Sequence, residues 1–410
     1  AEAIRRISDE SPLQRFYNAA ITFYRGRYLL ESHTSALFGL PANNRSVRIM
    51  VTMPSDAAEN VALLTDLLNA GMDVMRINCA KDDATVWQKM IDNLRRAEAA
   101  TGKTCRVHMD LAGPNPRTLN VNKTFRLIVG DQLQLYADQL PACPPRRDME
   151  EELVEPARVS CSLPEVVRDV KVGDRFFYDD GGLAGRVVAT ESEHFTIEIE
   201  RACKGSVKIR NDKGINLPDT HLGLPSLTNK DKADLEFVMQ HADMVGLSFI
   251  RSADDVSQLI DALDQAQARN IGIVLKIETQ QAFKELPELL LRAMQRPPVG
   301  VMVARGDMGV ELGFDRMAEV QEEILWLCEA AHVPVIWATQ VLEHLNKEGV
   351  PSRAEVTDAA MSGRAECVML NKGKHMSQTV SFLDDVLHRM SDHQHKKLAM
   401  LRKLSISQKL

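Results

Sequence analysis

Two short apolar segments between residues 271 and 309 constrain the fold more than any other feature of the sequence. The first reads IGIVLKIETQ and the second VGVMVARGDMG, and charged residues follow the apolar part of each. An uninterrupted β-branched run of this kind is typical of a parallel strand that is buried on both faces. Because parallel strands of an α/β barrel open onto a common rim, these charges are predicted to meet at the catalytic face.

The same alternation of apolar strand and helical pattern recurs along most of the chain. Further strand-like segments lie at 47–53, 73–79, 105–111, 244–250, 333–339 and 367–370, and helical patterns separate them. Short loops between strands and helices are typical of a right-handed parallel array. With the two central segments, the count from Val47 predicts the eight strands of a (β/α)8 TIM barrel.

Two regions depart from this alternation. From about residue 116 to 216 the segments are short and alternating, with turn signals such as Asp179-Asp-Gly-Gly182, which predicts a small all-β domain inserted after strand three. Residues 1–45 carry apolar side chains at helical spacing and predict an N-terminal helical extension. The predicted domains are therefore the extension 1–45, the barrel 46–116 and 218–391, the inserted domain 117–217, and a basic C-terminal tail 392–410.

Composition excludes several classes of protein. A hydrophobic content of 44% over 410 residues is enough for a sizeable core, and a formal charge of −7 argues against nucleic acid or an anionic membrane as the main partner. The seven cysteines are scattered without a CxxC pair, which favours buried thiols over disulfides or zinc. With no apolar run near the roughly 20 residues of a membrane span, we expect a soluble, cytoplasmic protein.

Polar residues stand at the ends of consecutive predicted strands, where barrel enzymes place their catalytic groups. They are Arg76, Asn78, Asp110, Lys276, Glu278, Asp307 and Thr339. Lys276 and Glu278 are two residues apart, so their side chains are predicted to point to the same side of one strand. A set of structural ion pairs closing the barrel mouth would give the same pattern, but its recurrence on consecutive strands favours a functional site.

The residue types suggest the chemistry. Glu278 and Asp307 offer the oxygen ligands that Mg²⁺ or Mn²⁺ prefers, while Arg76 and Lys276 could hold a phosphate. Gly306 would let a substrate carboxylate approach the backbone, an arrangement that a helix N-terminus at this position would favour. The Thr339 hydroxyl could relay a proton through water. The sequence lacks both GxxxxGK[ST] and GxGxxG, so a nucleotide would be held by another arrangement.

Several motifs resemble those of the pyruvate kinase family, in the family's order, over roughly residues 46–391. They are VMRINCA, MDLAGPNPRT, KGINLP, MVGLSFIRSADDV, LKIE, VMVARGDMGVEL, WATQVLE and PSRAEVTDAA. The resemblance implies Mg²⁺-dependent transfer of a phosphoryl group from phosphoenolpyruvate to ADP, which gives pyruvate and ATP. It also implies that the inserted domain, including Asp179, closes over the site as a lid.

The resemblance implies a role for each matching residue. Arg76 and Lys276 would bind the phosphate of phosphoenolpyruvate, Glu278 and Asp307 would bind Mg²⁺, and Thr339 would assist protonation of enolpyruvate. Gly306 would contact the substrate. Arg117, Lys213 and Asn78 would contact the nucleotide, with Arg117 also in reach of the transferred phosphoryl group.

The chain also departs from the family pattern. Where the family has a serine that helps hold K⁺ together with the positions of Asn78 and Asp110, this chain has Ala80. The K⁺ requirement is therefore left open, and we hypothesise that Lys81 supplies the missing charge. The sequence ends soon after the last barrel helix, so the family's C-terminal effector domain has no predicted counterpart. A homo-oligomer could form through the barrel or the N-terminal extension.

Two other functions remain open. A lyase or other enolate-forming enzyme on a pyruvate-like substrate would keep Lys276, Glu278, Asp307 and Thr339 while it tolerated change around the nucleotide and K⁺ sites. A non-catalytic homologue is the third reading, and the nearly complete set of metal and phosphate residues argues against it.

Overall fold

The computed structural model of the protein describes residues 23–41, 45–150 and 153–394. It divides into two compact units. The first contains the described residues up to Gly113, Leu227–Arg305 and the described residues from Met317 onward, and the second contains Pro114–Ser226 and Gly306–Arg316. Residues 1–22 of the predicted helical extension, and most of the predicted basic tail, lie outside the described residues.

The strands are numbered along the chain. They are β1 Arg48–Thr52, β2 Val74–Asn78, β3 Arg106–Asp110, β4 Thr118–Leu119, β5 Phe125–Leu127, β6 Gln132–Tyr136, β7 Arg146–Arg147, β8 Leu153–Glu155, β9 Ala157–Cys161, β10 Arg175–Tyr178, β11 Leu183–Thr190, β12 His194–Ala202, β13 Val207–Ile209, β14 Ile215–Asn216, β15 Met244–Leu247, β16 Gly272–Ile277, β17 Val299–Ala304, β18 Val335–Ala338 and β19 Cys367–Leu370.

The α-helices are numbered in the same way. They are α1 Phe23–Phe38, α2 Val61–Ala70, α3 Ala84–Thr101, α4 Val166–Asp169, α5 Asn229–His241, α6 Ala253–Gln265, α7 Gln280–Lys284, α8 Leu286–Ala293, α9 Arg305–Leu312, α10 Met317–Ala331, α11 Glu343–Glu348, α12 Arg353–Ser362 and α13 Met376–Gln394. Among the described residues, no helix is both long enough and apolar enough to cross a bilayer.

Eight parallel strands close into a barrel in the described part of the first unit, in the order β1, β2, β3, β15, β16, β17, β18 and β19. The two central strands β16 and β17 are buried at every position, as their apolar sequences require. The second unit contains a mixed sheet in the order β14-β10-β11-β12-β6-β9-β4 over its own apolar core. The predicted (β/α)8 barrel with an inserted all-β unit is therefore confirmed.

Five barrel strands end one to three residues earlier than the sequence predicts, and two of them end close to a left-handed turn. The segment 244–250 forms strand only to Leu247, and the segment 333–339 only from Val335 to Ala338. Phe249 and Thr339 have φ angles of +52° and +70°, a left-handed conformation that cannot continue a strand. The chain therefore leaves the extended conformation at these two residues.

Helix α1 packs against the N-terminal ends of the barrel strands. Leu37 and Phe38 are buried with Met50, Met302 and other residues of the barrel interior. A Cβ atom at Gly272 or Gly300 would lie 2.4 or 2.5 Å from the methyl groups of Leu37, so only glycine leaves room for this side chain. The described part of the predicted extension thus contributes to the core, at the face opposite the catalytic rim.

Candidate active site

The centre of the site is the carboxylate of Asp110, the last residue of β3. The guanidinium of Arg76 on β2 donates to Asp110 Oδ2 from Nε at 2.6 Å, and Nη2 lies 2.5 Å from the same oxygen. Arg76 Nη1 also donates to Thr52 Oγ1, at 2.9 Å. Asn78 is the register partner of Asp110, so these two residues lie next to each other at the same end of β2 and β3.

Lys276 on β16, two strands from β3 in the barrel order, brings a second cation to the same carboxylate. Its Nζ atom lies 3.7 Å from Asp110 Oδ2 and 2.8 Å from Glu278 Oε1, and it donates to Ser248 Oγ at 2.7 Å. The second oxygen of Glu278 accepts from the backbone N–H of Phe249 at 2.7 Å. Lys276 and Glu278 therefore do face the same side of their strand, and both are held in fixed positions.

The charges of this cluster are set by mutual interaction. Burial by itself would raise the pKa of Asp110, but Arg76 and Lys276 outweigh it and hold the pKa well below the usual range. Burial by itself would lower the pKa of Lys276, but Asp110 and Glu278 outweigh it and raise the pKa. Lys276 therefore stays a cation at neutral pH and suits electrostatic stabilisation of an anion better than donation of a proton.

The strand after Lys276 and Glu278 leads directly into a helix. β17 ends at Ala304 and α9 begins at Arg305, so Gly306 and Asp307 lie in the first turn of that helix. Backbone N–H groups at such a position favour an anion. The side chain of Arg305, the first residue of this helix, is engaged elsewhere. Its guanidinium forms an ion pair with Asp358 and donates to the Ala338 carbonyl at 2.8 Å.

Thr339 follows β18 in the left-handed region of φ, an unusual conformation for a β-branched residue. Its carbonyl oxygen accepts from the Arg305 guanidinium, which also lies over the ring of Trp337 at 4.9 Å from the ring centroid. Arg305 thus fixes the backbone from which the Thr339 side chain projects. Backbone strain of this kind tends to occur at functional sites.

A cavity of about 340 Å³ opens on the rim of the barrel beside Arg76. It is lined by Thr52, Met53, Arg76, Ile77, Asn78, Lys81, Asp82, Met90, Glu343, Lys347, Asn371 and Lys372. Lys347 forms an ion pair with Glu343 at 2.5 Å, and Asp82 accepts from the hydroxyl of Ser55. With four Lys and Arg side chains against two carboxylates, the lining is net positive and suits a polyanionic ligand.

Three predicted residues within Pro114–Ser226 make ion pairs. Arg117 Nη1 lies 3.3 Å from Asp212 Oδ1, and Lys213 Nζ lies 2.8 Å from Asp179 Oδ1. All four side chains are partly exposed, so these ion pairs are accessible to an anionic ligand that competes for the cations.

The described residues include no group of three or more His, Cys, Asp or Glu side chains placed to hold a metal. A hard divalent cation would therefore take most of its ligands from substrate and water, as Mg²⁺ usually does. Glu278 fits such a cation, because its carboxylate is buried, oriented by Lys276 and Phe249, and keeps further lone pairs on both oxygens.

Other residues of the cluster are not singled out by the sequence pattern. Thr52 and Ser248 bind the two cations, but hydroxyl groups near strand ends are common and carry little signal. His108 is fully buried and its Nε2 atom lies 2.7 Å from Asp110 Oδ1. Its spacing of two from Asp110 on a strand places both side chains on one face, which is the signal that could have identified it.

Comparison with known proteins identifies the family of the chain. The family model described as "Pyruvate kinase, barrel domain" matches residues 44–379. A pyruvate kinase of Leishmania mexicana is 31% identical over 367 residues, which are 87% of this chain and 69% of that protein. This chain belongs to the pyruvate kinase family.

This chain matches a smaller share of two other family members. The pyruvate kinase of Geobacillus stearothermophilus is 33% identical over 77% of this chain and 51% of its own length. That of Bacillus licheniformis is 31% identical over 88% of this chain and 60% of its own length. The chain thus spans between about half and two thirds of these curated relatives.

Proposed function

We propose that the chain transfers a phosphoryl group between phosphoenolpyruvate and ADP with the help of Mg²⁺ or Mn²⁺. The observation that carries the proposal is the buried pair of cations, Arg76 and Lys276, on the single carboxylate of Asp110. Two N–H-bearing cations converge on one oxygen of that carboxylate, and a guanidinium beside an ammonium suits the phosphate of a small anionic substrate. Glu278 beside Lys276 would ligate the divalent cation, and Asp307 in the turn after the next strand is the proposed second carboxylate.

In the proposed reaction the bond between phosphorus and the enol oxygen of phosphoenolpyruvate breaks. A new bond forms between phosphorus and an oxygen of the ADP β-phosphate, and the electron pair of the broken bond stays on the enolate oxygen. Lys276, held as a cation, stabilises that negative charge. The enolate then takes a proton at carbon, which we propose is relayed by water beside the Thr339 hydroxyl, and pyruvate results. The bound cation would supply further charge neutralisation on the phosphate oxygens.

The rim cavity beside Arg76 is the proposed nucleotide site of the first unit. Lys81, Lys347 and Lys372 line it together with Asn78, and positive charge at this position favours the phosphates of ADP. Arg117 and Lys213, which each pair with a carboxylate, are proposed to bind nucleotide phosphate by exchanging that partner for it.

The test is pyruvate formation from phosphoenolpyruvate, ADP and Mg²⁺, coupled to lactate dehydrogenase. Lys276→Met removes the buried cation, and the exposed Lys284 on α7 offers the matched control Lys284→Met. We expect Lys276→Met to lower kcat by at least about a hundredfold, since preorganised charge stabilisation contributes that much or more. Lys284→Met should keep full activity. Equal activity in the two variants would contradict the assignment.

A second function, formation of an enolate without phosphoryl transfer, is favoured by the departure from the family pattern at Ala80, which leaves Lys276, Glu278 and Thr339 in place. Metal-dependent exchange of the methyl protons of pyruvate with deuterated water would report on it. Exchange that depends on Lys276, in protein that makes no pyruvate with ADP, would support the second function over the first.

A further inference from the structure

We infer that His108 positions Asp110 for the Arg76 and Lys276 pair, and that it occupies the carboxylate oxygen at which a monovalent cation would otherwise bind. The inference rests on the proposed function, because it concerns the same phosphate-binding pair. It assigns to a histidine of the barrel interior the role that the family resemblance gives to K⁺.

The contacts of Asp110 are divided between its two oxygens. Oδ2 is taken by Arg76, with Lys276 at 3.7 Å, while Oδ1 lies 2.7 Å from His108 Nε2. Because the carboxylate is ionised, the imidazole must donate from Nε2. Oδ1 therefore has a fixed donor from the protein, and the two donors together hold the carboxylate in one orientation.

The neighbouring strand makes room for this arrangement. Gly246 on β15 pairs with Asp110 in the barrel register. A Cβ atom at this position would lie 1.9 Å from Asp110 Oδ1 and 3.1 Å from His108 Cε1. Any side chain at residue 246 would thus displace the carboxylate or the imidazole, and glycine permits both to lie side by side.

His108 is not a well-satisfied core residue, which argues against a purely structural role. It is 0% exposed, and its Nδ1 atom has no hydrogen-bond partner among the residues that the structure describes. A buried polar atom without a partner is costly, and an apolar residue would avoid that cost. Within the described part of the chain the imidazole makes one hydrogen bond, to Asp110, so we take this bond to be the reason for a histidine at residue 108.

The remaining residues do not fit a K⁺ ion. Ala80 has no side-chain oxygen, and the side-chain oxygen of Asn78 accepts from the backbone N–H of Ala80 at 3.0 Å. Asp110 faces three nitrogen groups, from Arg76, Lys276 and His108, and repulsion from the cations among them opposes a further cation. The site is therefore expected to work with the same efficiency in any monovalent salt.

The experiment compares KCl with tetramethylammonium chloride at equal concentration. Three quantities are measured: pyruvate formation, the thermal midpoint, and the rise of that midpoint on addition of phosphoenolpyruvate with Mg²⁺. The variants are His108→Ala, which removes the donor, and His108→Gln, whose amide can donate from nearly the same place. His194→Ala, at a buried histidine of the second unit, is the matched control.

For the unsubstituted chain we expect all three quantities to be the same in the two salts. His108→Ala is expected to lose activity by about tenfold to a hundredfold in tetramethylammonium, since a misplaced catalytic group costs that much. K⁺ should restore part of this activity and raise the thermal midpoint of this variant only. His108→Gln and His194→Ala should behave as the unsubstituted chain does.

The inference is overturned if K⁺ specifically activates or stabilises the unsubstituted chain, or if His108→Ala keeps full activity in both salts. A response to K⁺ that appears in Lys81→Met and not in His108→Ala would assign the role to Lys81 instead. If no pyruvate forms in either salt, the proposed function fails, and the inference is then decided by the thermal midpoints alone, which need no turnover.

Discussion

Replacement of Asp110 by asparagine is expected to destabilise the barrel strongly, because the substitution removes the one carboxylate that Arg76 and Lys276 share. The side chain of Asp110 is 1% exposed, and those of the two cations are 9% exposed. An amide of the same shape would present an N–H group to donors on at least one side. Breaking a buried ion pair by removing one partner costs about 3–5 kcal/mol, because the other charge is left buried without compensation.

The assay is equilibrium unfolding in urea at neutral pH, with the thermal midpoint as a second measurement. For a chain of this length the cost corresponds to a midpoint lower by roughly 3–6 °C. The matched control is Glu59→Gln, which breaks an ion pair of 2.7 Å between Glu59 and Lys89 whose side chains are 74% and 53% exposed. The control should show no measurable change, because solvent screens exposed charges. Equal stability of the two variants would refute the view that the Asp110 cluster is a tightly coupled buried network.

Two further predictions follow from packing and burial. Gly300→Ala places a methyl group 2.5 Å from Leu37 and should lower the free energy of unfolding by about 1–3 kcal/mol; thermal unfolding of the double variant with Leu37→Ala tests the contact, and strictly additive effects would exclude it. Burial raises the pKa of Tyr178 to about 12, from a usual value of 10. Because the unfolded chain ionises this phenol first, its contribution to stability should be complete below pH 10 and lost as the pH rises towards 12. Absorbance titration against Tyr178→Phe measures it, and a phenol that titrates near 10 would contradict the assignment.

The barrel could be predicted from sequence because its strands are buried on both faces. A run such as residues 271–277 has no polar face, so its local pattern alone indicates a parallel strand. The order of elements then follows from short connections and their handedness. The positions of the strand ends were predicted less accurately. The left-handed turn at Phe249, for example, depends on contacts such as the hydrogen bond from its N–H to Glu278, a residue 29 positions away.

The residues of the candidate site could be listed from sequence for a similar reason. Chemistry at a barrel rim comes from the ends of successive strands, so Arg76, Asp110, Lys276 and Glu278 are found by position and residue type. Their partners could not be assigned in this way. Arg305 has the same position and charge as a catalytic group, but Asp358, 53 residues away, holds it in a structural ion pair.

The sequence by itself determined the fold class and the inventory of charged groups at the rim, because both depend on local periodicity and residue type. Only the tertiary structure decided which charges meet. The division of the Asp110 oxygens between Arg76 and His108, and the space that Gly246 leaves for them, depend on how β2, β3 and β15 lie side by side in the barrel. The charge state of Asp110 is set by Arg76, which lies 34 positions away, and by Lys276 on a strand much later in the chain. Contacts between residues so far apart have no signature in local pattern.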